Sequence, residues 1–345
     1  MIRVKKLFGC RPEPGRFMLA LSLLAGVTLI STGTCNSTWA VNADNQVATF
    51  SIVAHDPVTG ELGVAVASRF FTVGNVVPWA QAGVGAVATQ AYANTSFGWR
   101  GLELLDMGLT PQEIKNVLVR YDDDPTRRQF GIVDAEGRSA TYTGDGCTAW
   151  AGGRAGAHYA IQGNILAGEG VVIAMEKAFL ETEGTLADRL YTALLAGEAA
   201  GGDSRGKQSA ALLVVKEAAG YGGYTDRAID IRVDDHAEPF KELGRILKIG
   251  QMNYAWNEAW TLFTTGEWAE ALEPMERTAQ LAPDYAEVFY DLACIRLAND
   301  DQEGALEALQ RVLTLNPKLV ESATKDDDLR QLHGNPEFER LTEAK

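Results

Sequence analysis

The chain has 345 residues, of which 46% are hydrophobic and 22% charged, so it has enough apolar residues for two ordinary domains and is not globally disordered. Its 31 basic and 46 acidic side chains give a net charge of −15, which repels phosphate backbones and anionic lipid surfaces. We therefore expect no nucleic acid partner.

Residues 1–40 have the layout of a secretory signal peptide. The apolar run Phe17–Ile30 is too short to span a bilayer comfortably, and small residues near Ala40 and Ala43 predict cleavage near 40 or 43. The basic residues ahead of this run are Arg3, Lys5, Lys6, Arg11 and Arg16. We expect an exported protein, periplasmic or secreted, with no membrane span after cleavage. An uncleaved anchor is the alternative.

Residues 49–247 alternate short apolar runs with helical segments, which predicts an α+β domain with helices stacked on antiparallel sheets. A hairpin opens the domain, and a helical segment at 237–248 is expected to mark its end. The predicted strands are 49–54, 61–68, 83–89, 129–134, 139–142, 210–215 and 228–233, and the predicted helices are 99–107, 111–120, 168–181 and 186–196.

The C-terminal third contains an internal repeat with a period of about 34 residues. The equivalent pairs are Ala271 and Ala305, Leu272 and Leu306, Leu281 and Leu315, and Pro283 and Pro317. This segment resembles tetratricopeptide repeats, with two units over 252–319 and a capping helix or tail over 320–345. The resemblance implies a small all-α domain that binds a peptide or protein partner. A packing or dimerisation module is the alternative.

Gly202–Gly206 matches the G-x-S-x-G nucleophile elbow, with Asp235 and His236 following in the order of an α/β-hydrolase triad. The elbow requires a strand before it and a helix after it, whereas here a predicted helix precedes and a predicted strand follows. A serine hydrolase at Ser204 is therefore a lesser alternative. The phosphate-loop likeness of 201–207 fails for the same reason.

The potential metal ligands do not have the spacing of a metal site. The histidines, which are His55, His158, His236 and His333, lack metal-binding intervals, and the acidic runs at 122–124 and 326–328 lack the pattern of a calcium loop. Gly83–Ala88 lies inside a predicted strand, which argues against a dinucleotide fingerprint. We predict no cofactor and no metal.

Thr49 begins the first hairpin, whose second strand ends at Ser68 and Arg69. A threonine with a free α-amine is able to act as an N-terminal nucleophile, because its own amine titrates near neutrality and serves as the general base. Cleavage after Ala40 or Ala43 leaves eight or five residues, ending in Val47 and Ala48, ahead of Thr49, which blocks that amine unless a second cleavage removes them.

Several segments resemble the domain of unknown function 1028 family, which is classed with the N-terminal nucleophile hydrolase superfamily. They are TFSIVAHDPVTGELGVAVASRF, GVGAVATQAYAN, YAIQGNILAG, GGDSRGKQSAALLVV and YTDRAIDIRVDDH. The resemblance covers nearly all of 49–247. It implies a four-layer αββα sandwich and an amide-bond hydrolase whose substrate is not established.

The supporting residues are hypotheses, each with a purely structural role as its alternative. Ser68, Arg69 and Asn164 are candidates for the catalytic site with Thr49. The candidates for binding a polar substrate are Asp203, Arg205 and Lys207, which otherwise hold the shape of a glycine-rich loop. The leading hypothesis is an exported hydrolase that cleaves an amide bond in a peptide or cell-wall fragment, with a small amide as its substrate. The rival hypothesis is a non-catalytic envelope scaffold that acts through its repeats.

Overall fold

Two antiparallel β-sheets form the N-terminal part of the computed structural model, which describes residues 49–343. The strands are β1 Thr49–His55, β2 Leu62–Ser68, β3 Pro78–Gln81, β4 Gly85–Ala91, β5 Arg128–Asp134, β6 Ser139–Thr143, β7 Trp150–Gly156, β8 Tyr159–Leu166, β9 Ser209–Val215 and β10 Arg227–Val233. One sheet has the order β10-β9-β2-β1-β8-β7, and the other has the order β3-β4-β5-β6. The predicted mixture of helices and antiparallel sheets is confirmed.

Helices follow or separate these strands along the whole described chain. They are α1 Ser96–Asp106, α2 Pro111–Arg120, α3 Gly170–Glu181, α4 Leu186–Ala199, α5 Pro239–Thr265, α6 Trp268–Leu281, α7 Ala286–Ala298, α8 Gln302–Leu315, α9 Val320–Ala323 and α10 Pro336–Thr342. Capping boxes begin two of them, at Thr110 with Glu113 and at Thr185 with Asp188. No helix within residues 49–343 is long and apolar enough to cross a membrane. The predicted signal peptide lies outside the described residues.

Alternation along the central strands separates two buried faces of the six-stranded sheet. On β1, Phe50 and Ile52 belong to a hydrophobic cluster with α3 and α4, whereas Val53 belongs to a cluster between the two sheets. A third cluster, which includes Phe130, joins the four-stranded sheet to α1 and α2. The strand period of two thus directs odd-numbered residues of β1 toward the facing sheet.

The sequence analysis missed β3, β7 and β8. Pro78 opens β3, and proline is tolerated at the first residue of a strand although it weakens a sequence-based prediction. β7 is an edge strand whose three glycines obscure the alternation. β8 carries Gln162, Gly163 and Asn164 in consecutive positions, and this polar run masks a strand that is almost entirely buried.

The C-terminal region is helical, and α5 runs without a break from the predicted domain boundary into the predicted first repeat. Helices α5 to α8 enclose a hydrophobic cluster of their own that includes Ala271 and Ala305, both fully buried. Leu329, Leu332 and Phe338 from the last described segment are buried in the same cluster. The tail therefore adds to the core of the helical region.

Candidate functional site

Three of the predicted catalytic residues meet at one end of the six-stranded sheet. Thr49 opens β1 and is the register partner of Ser68 on β2 and of Asn164 on β8. The Oγ1 atom of Thr49 lies 3.1 Å from the Oγ atom of Ser68, within hydrogen-bonding distance. At most 2% of each residue is exposed. The strand register therefore brings two hydroxyls and a carboxamide together.

Glutamines of the facing sheet support these residues from across the interior. The Nε2 atom of Gln90, on β4, donates to the carbonyl oxygen of Thr49 at 3.2 Å and to Oε1 of Gln129, on β5, at 2.9 Å. The Nδ2 atom of Asn164 donates to the same Oε1 atom at 2.8 Å. Gln129 thus links the carboxamide of Asn164 to Gln90, which bonds to the Thr49 carbonyl.

Ser51 and Gln162 extend this arrangement toward the middle of the sheets. The Ser51 hydroxyl donates to Oε1 of Gln90 at 2.5 Å and accepts from Nε2 of Gln162 at 2.6 Å. We call the six residues Thr49, Ser51, Gln90, Gln129, Gln162 and Asn164 the glutamine network. Within residues 49–343, no buried side-chain nitrogen or oxygen lacks a hydrogen-bond partner. Each buried side-chain nitrogen or oxygen of the network therefore has at least one partner, and the network carries no ionisable side chain.

The sequence analysis did not single out Gln90, Gln129 or Gln162. The available signal was a polar residue at an inward position of an alternating strand, but a single strand does not reveal which of its faces is buried. Gly131 provides the space, because a Cβ atom there would lie 2.0 Å from Oε1 of Gln162. The lack of a side chain at Gly131 therefore makes room for the Gln162 carboxamide between the two sheets.

Asp203 organises the loop that follows α4 and holds it against the end of β2. Its carboxylate accepts hydrogen bonds from the backbone N–H of Arg69 at 2.8 Å and of Arg205 at 2.9 Å. The Arg205 guanidinium pairs with the same carboxylate, with Nη2 at 2.9 Å from Oδ2. Nη1 of Arg69 donates to the Arg205 carbonyl at 3.1 Å. Asp203 and Arg205 thereby anchor the residue that follows Ser68.

Lys207 lies at the outer side of that loop and is paired with acids. Its Nζ atom is 2.7 Å from a carboxylate oxygen of Glu238 and 3.9 Å from one of Glu198. The hydrogen bond to Glu238 raises the pKa of the Lys207 ammonium. Burial raises the pKa of the Glu198 carboxyl, and the charge of Lys207 opposes that change. These contacts join the loop to the segment before α5.

A cavity of about 330 Å³ opens beside Thr49. Its polar lining comes from Thr49, Gln90 and Arg128, and its other lining residues are apolar or aromatic. Ala91, in the wall, has φ of 64°, and Ile165, directly after Asn164, has φ of 52°. Non-glycine residues rarely adopt these left-handed conformations, and such strain concentrates at functional sites. We call this space the Thr49 cavity.

The residues of the alternative serine triad are not joined to one another. The Ser204 hydroxyl donates to the carbonyl oxygen of Ile165 at 2.9 Å. Asp235 accepts from the side chain of Gln208, and Nδ1 of His236 accepts from the backbone N–H of Glu238. The segment lies between α4 and β9, the order that argues against a nucleophile elbow.

Groups of three or more histidine, cysteine, aspartate or glutamate side chains able to hold a metal are absent from the described part of the chain. The two cysteines described, Cys147 and Cys294, are unpaired, and burial raises the pKa of each thiol. The polar side chains beside Thr49 are the Ser68 hydroxyl, the carboxamides of Asn164 and Gln90, and the Arg128 guanidinium.

The two antiparallel sheets and the helices packed on them define an α+β protein with buried polar side chains between the sheets. Residues 49–243 match the Family of unknown function (DUF1028), and the chain belongs to that family. The crystal structure of a DUF1028 protein from Silicibacter pomeroyi is similar, with 31% sequence identity and a TM-score of 0.55. The similarity covers 59% of this chain and 89% of that one. No curated protein matches the chain.

Proposed function

We propose that the protein is an exported hydrolase of the N-terminal nucleophile type that cleaves an amide bond, with Thr49 as its nucleophile. The observation that carries the proposal is the Thr49 hydroxyl, which begins β1, lies 3.1 Å from the Ser68 hydroxyl and lines a cavity of about 330 Å³. Hydrophobic clusters between α1–α2 and β4–β5, between the sheets, and between β1–β8 and α3–α4 support a four-layer αββα sandwich.

In the proposed reaction, the free α-amine of Thr49 removes the proton of its own hydroxyl as Oγ1 attacks the amide carbonyl. The C–N bond breaks, the amine leaves with that proton, and an ester on Thr49 remains. Water then hydrolyses the ester and regenerates the hydroxyl. The Asn164 carboxamide has two N–H groups and gives one to Gln129, so the other is a candidate donor to the oxyanion.

The helical region is the proposed partner-binding part, built from two tetratricopeptide repeats. Helices α5 to α8 pack against one another in chain order, and Ala271 and Ala305, which are 34 positions apart in the sequence, are both fully buried. A groove of about 460 Å³ lies among α6, α7 and α8. These features support a role in binding a peptide or protein.

The first test is the N-terminal residue of the purified exported protein, determined by intact mass and terminal sequencing. The mechanism requires a chain that starts at Thr49, and a homogeneous start at Val41 or Asp44 would contradict it.

The second test compares Thr49→Ala with Thr278→Ala, which removes another buried threonine hydroxyl from the helical region. We expect Thr49→Ala to lower hydrolysis of a peptide-amide library at least 1,000-fold. Thr278→Ala should leave the rate within twofold. Equal rates in both variants would reject the proposed nucleophile.

A non-catalytic scaffold is the second candidate function. The Thr49 hydroxyl is buried against Ser68, and the predicted leader cleavage leaves its nitrogen within a peptide bond. Under this alternative, Thr49→Ala changes neither processing nor phenotype, whereas substitutions in the helical groove remove the function.

A further inference from the structure

Most of the residues that line the Thr49 cavity are apolar or aromatic. They are Phe70, Val73, Val76, Val77, Ala91, Tyr92 and Ala93. Val73 and Val77 are almost fully buried, so the segment that carries them is held rigidly against the sheets. The volume of about 330 Å³ is at the lower end of the range for small-molecule sites. The cavity therefore has the size and lining for one compact apolar group.

The polar end of the cavity contains an arginine whose charge is already balanced. Nε of Arg128 lies 2.8 Å from a carboxylate oxygen of Asp122, whose side chain is 2% exposed. Nη1 of Arg128 donates to the Tyr92 carbonyl at 2.6 Å. Asn94 donates to the second Asp122 oxygen at 2.8 Å and fixes that carboxylate. The ion pair is thus neutral as a unit and rigidly oriented.

The remaining guanidinium nitrogen of Arg128 is available as a hydrogen-bond donor. Nη2 makes no hydrogen bond to any residue in 49–343, and the arginine lines the cavity together with Thr49 and Gln90. A substrate carbonyl oxygen suits such a donor because it brings no charge into an apolar space. A carboxylate would also have to approach the negative charge of Asp122.

We propose that the Thr49 cavity selects uncharged amides of amino acids with compact apolar side chains, and that Arg128 donates to a substrate carbonyl. This inference rests on the proposed function for the reaction but not for the binding. A cationic or anionic side chain would lose its hydration among valines and aromatic rings without gaining a counter-charge. The selectivity therefore comes from the penalty for burying charge as well as from apolar contact.

The test is a ligand-observed NMR titration of the mature exported protein with three probes of the same backbone. They are N-acetyl-L-leucinamide, N-acetyl-L-lysinamide and the α-amide of N-acetyl-L-aspartic acid. We expect the leucine probe to bind at least tenfold more tightly than either charged probe. Equal or tighter binding of a charged probe, or no saturable binding of the leucine probe, would overturn the proposal.

Paired variants locate the binding. Val76→Phe fills the half-buried side of the cavity and should weaken binding of the leucine probe at least fivefold, whereas Val58→Phe in an exposed turn should not change it. Arg128→Gln should weaken the same probe about tenfold, and Arg154→Gln, which removes another ion-paired arginine, should leave it unchanged. Thermal denaturation confirms that each variant is folded. Unchanged binding in both cavity variants contradicts the assignment.

The outcomes separate the inference from the proposed function. If Thr49→Ala binds the leucine probe normally and has lost hydrolysis, both stand. If the probe binds and no amide is hydrolysed by the mature protein, the cavity assignment stands and the catalytic proposal fails. If the protein hydrolyses lysine or aspartate amides faster than leucine amides, the catalytic proposal stands and the selectivity inference fails.

Discussion

The Gln129 side chain joins the glutamine network to residues outside it. Its Oε1 atom accepts from Gln90 and Asn164, and its Nε2 atom donates to the Gly163 carbonyl at 2.7 Å and to the Thr143 hydroxyl at 2.9 Å. A side-chain amide suits this buried position because it both donates and accepts hydrogen bonds and carries no charge. It positions Asn164 beside Thr49 and contributes to the structure at the same time.

We predict that Gln129→Leu destabilises the protein by roughly 2–5 kcal/mol, because the substitution leaves several buried donors and acceptors unpaired. Gln112→Leu is the control, since that glutamine is exposed and bonds only to Asn116. Its expected change in the free energy of unfolding is within about 0.5 kcal/mol. Urea denaturation measures both values. Similar free energies for the two variants would contradict a structural role for the network.

Gly131 allows a second residue-scale prediction. Gln162 has little freedom to move, since its amide bonds to Ser51 and to Thr141. The methyl of Gly131→Ala would overlap the Gln162 side chain and is expected to cost roughly 1–3 kcal/mol of stability. At Gly170, in the first turn of α3, a Cβ atom meets nothing within 4 Å. Gly170→Ala should be neutral or stabilising, and thermal denaturation of the two variants beside the wild type measures the difference.

At the scale of elements, the loop around Asp203 connects the ends of three strands. Asp203 forms an isolated bridge with Leu166 at the end of β8, accepts a hydrogen bond from the backbone N–H of Arg69 after β2, and precedes β9. Asp203 therefore holds the strand end that carries Ser68 through its carboxylate and the strand end that carries Asn164 through its backbone. The loop positions the site even if its side chains touch no substrate.

We predict that Asp203→Ala makes the loop at 201–208 sensitive to limited proteolysis and lowers any Thr49-dependent hydrolysis at least tenfold. The Arg69 N–H and the Arg205 guanidinium lose their shared acceptor. Asp235→Ala, which removes only a surface hydrogen bond to Gln208, is the matched variant. The protease should digest this variant at the wild-type rate. Mass spectrometry of the fragments identifies the cleavage site. Resistance of both variants would argue against an organising role for Asp203.

The same scale explains how much of the site was predictable from sequence. The hairpin of β1 and β2 could be predicted from sequence because apolar residues flank a turn. A short turn fixes the strand register, and this register places Ser68 opposite Thr49. The contact with Asn164 depends on β8, whose strand character was masked. The glutamine network required the packing of two sheets from residues up to 111 positions apart, which local patterns do not encode.

At the scale of the whole molecule, α5 is the element shared by the sheet region and the helical region. Leu243 and Leu247 pack with β-sheet residues in one cluster, whereas Met252 and Ala259 belong to the cluster of α6 to α8. The predicted boundary at 237–248 therefore falls within a continuous helix. Because the same unbroken helix contributes buried residues to both clusters, we expect the two regions to unfold cooperatively.

The pH dependence of global stability tests the burial of Asp291 on α7. Burial raises the pKa of its carboxyl to about 6, with Asp326 and Glu287 adding to the rise, although the Trp256 indole N–H donates to it at 2.7 Å and opposes the change. Since this pKa is raised in the folded state, protonation favours folding, and the contribution of Asp291 is lost as the pH rises from about 4 through about 6.

Asp291→Asn keeps an acceptor for Trp256 and removes the charge. We predict that this variant is more stable than the wild type at pH 7 by on the order of 1 kcal/mol, and that the difference disappears near pH 4. Asp123→Asn, at an exposed position, should show no such dependence on pH. Urea denaturation from pH 4 to pH 8 measures the difference between each variant and the wild type. A constant difference for Asp291→Asn would mean that the carboxyl titrates normally, and hence that α5 and α7 do not exclude water from it.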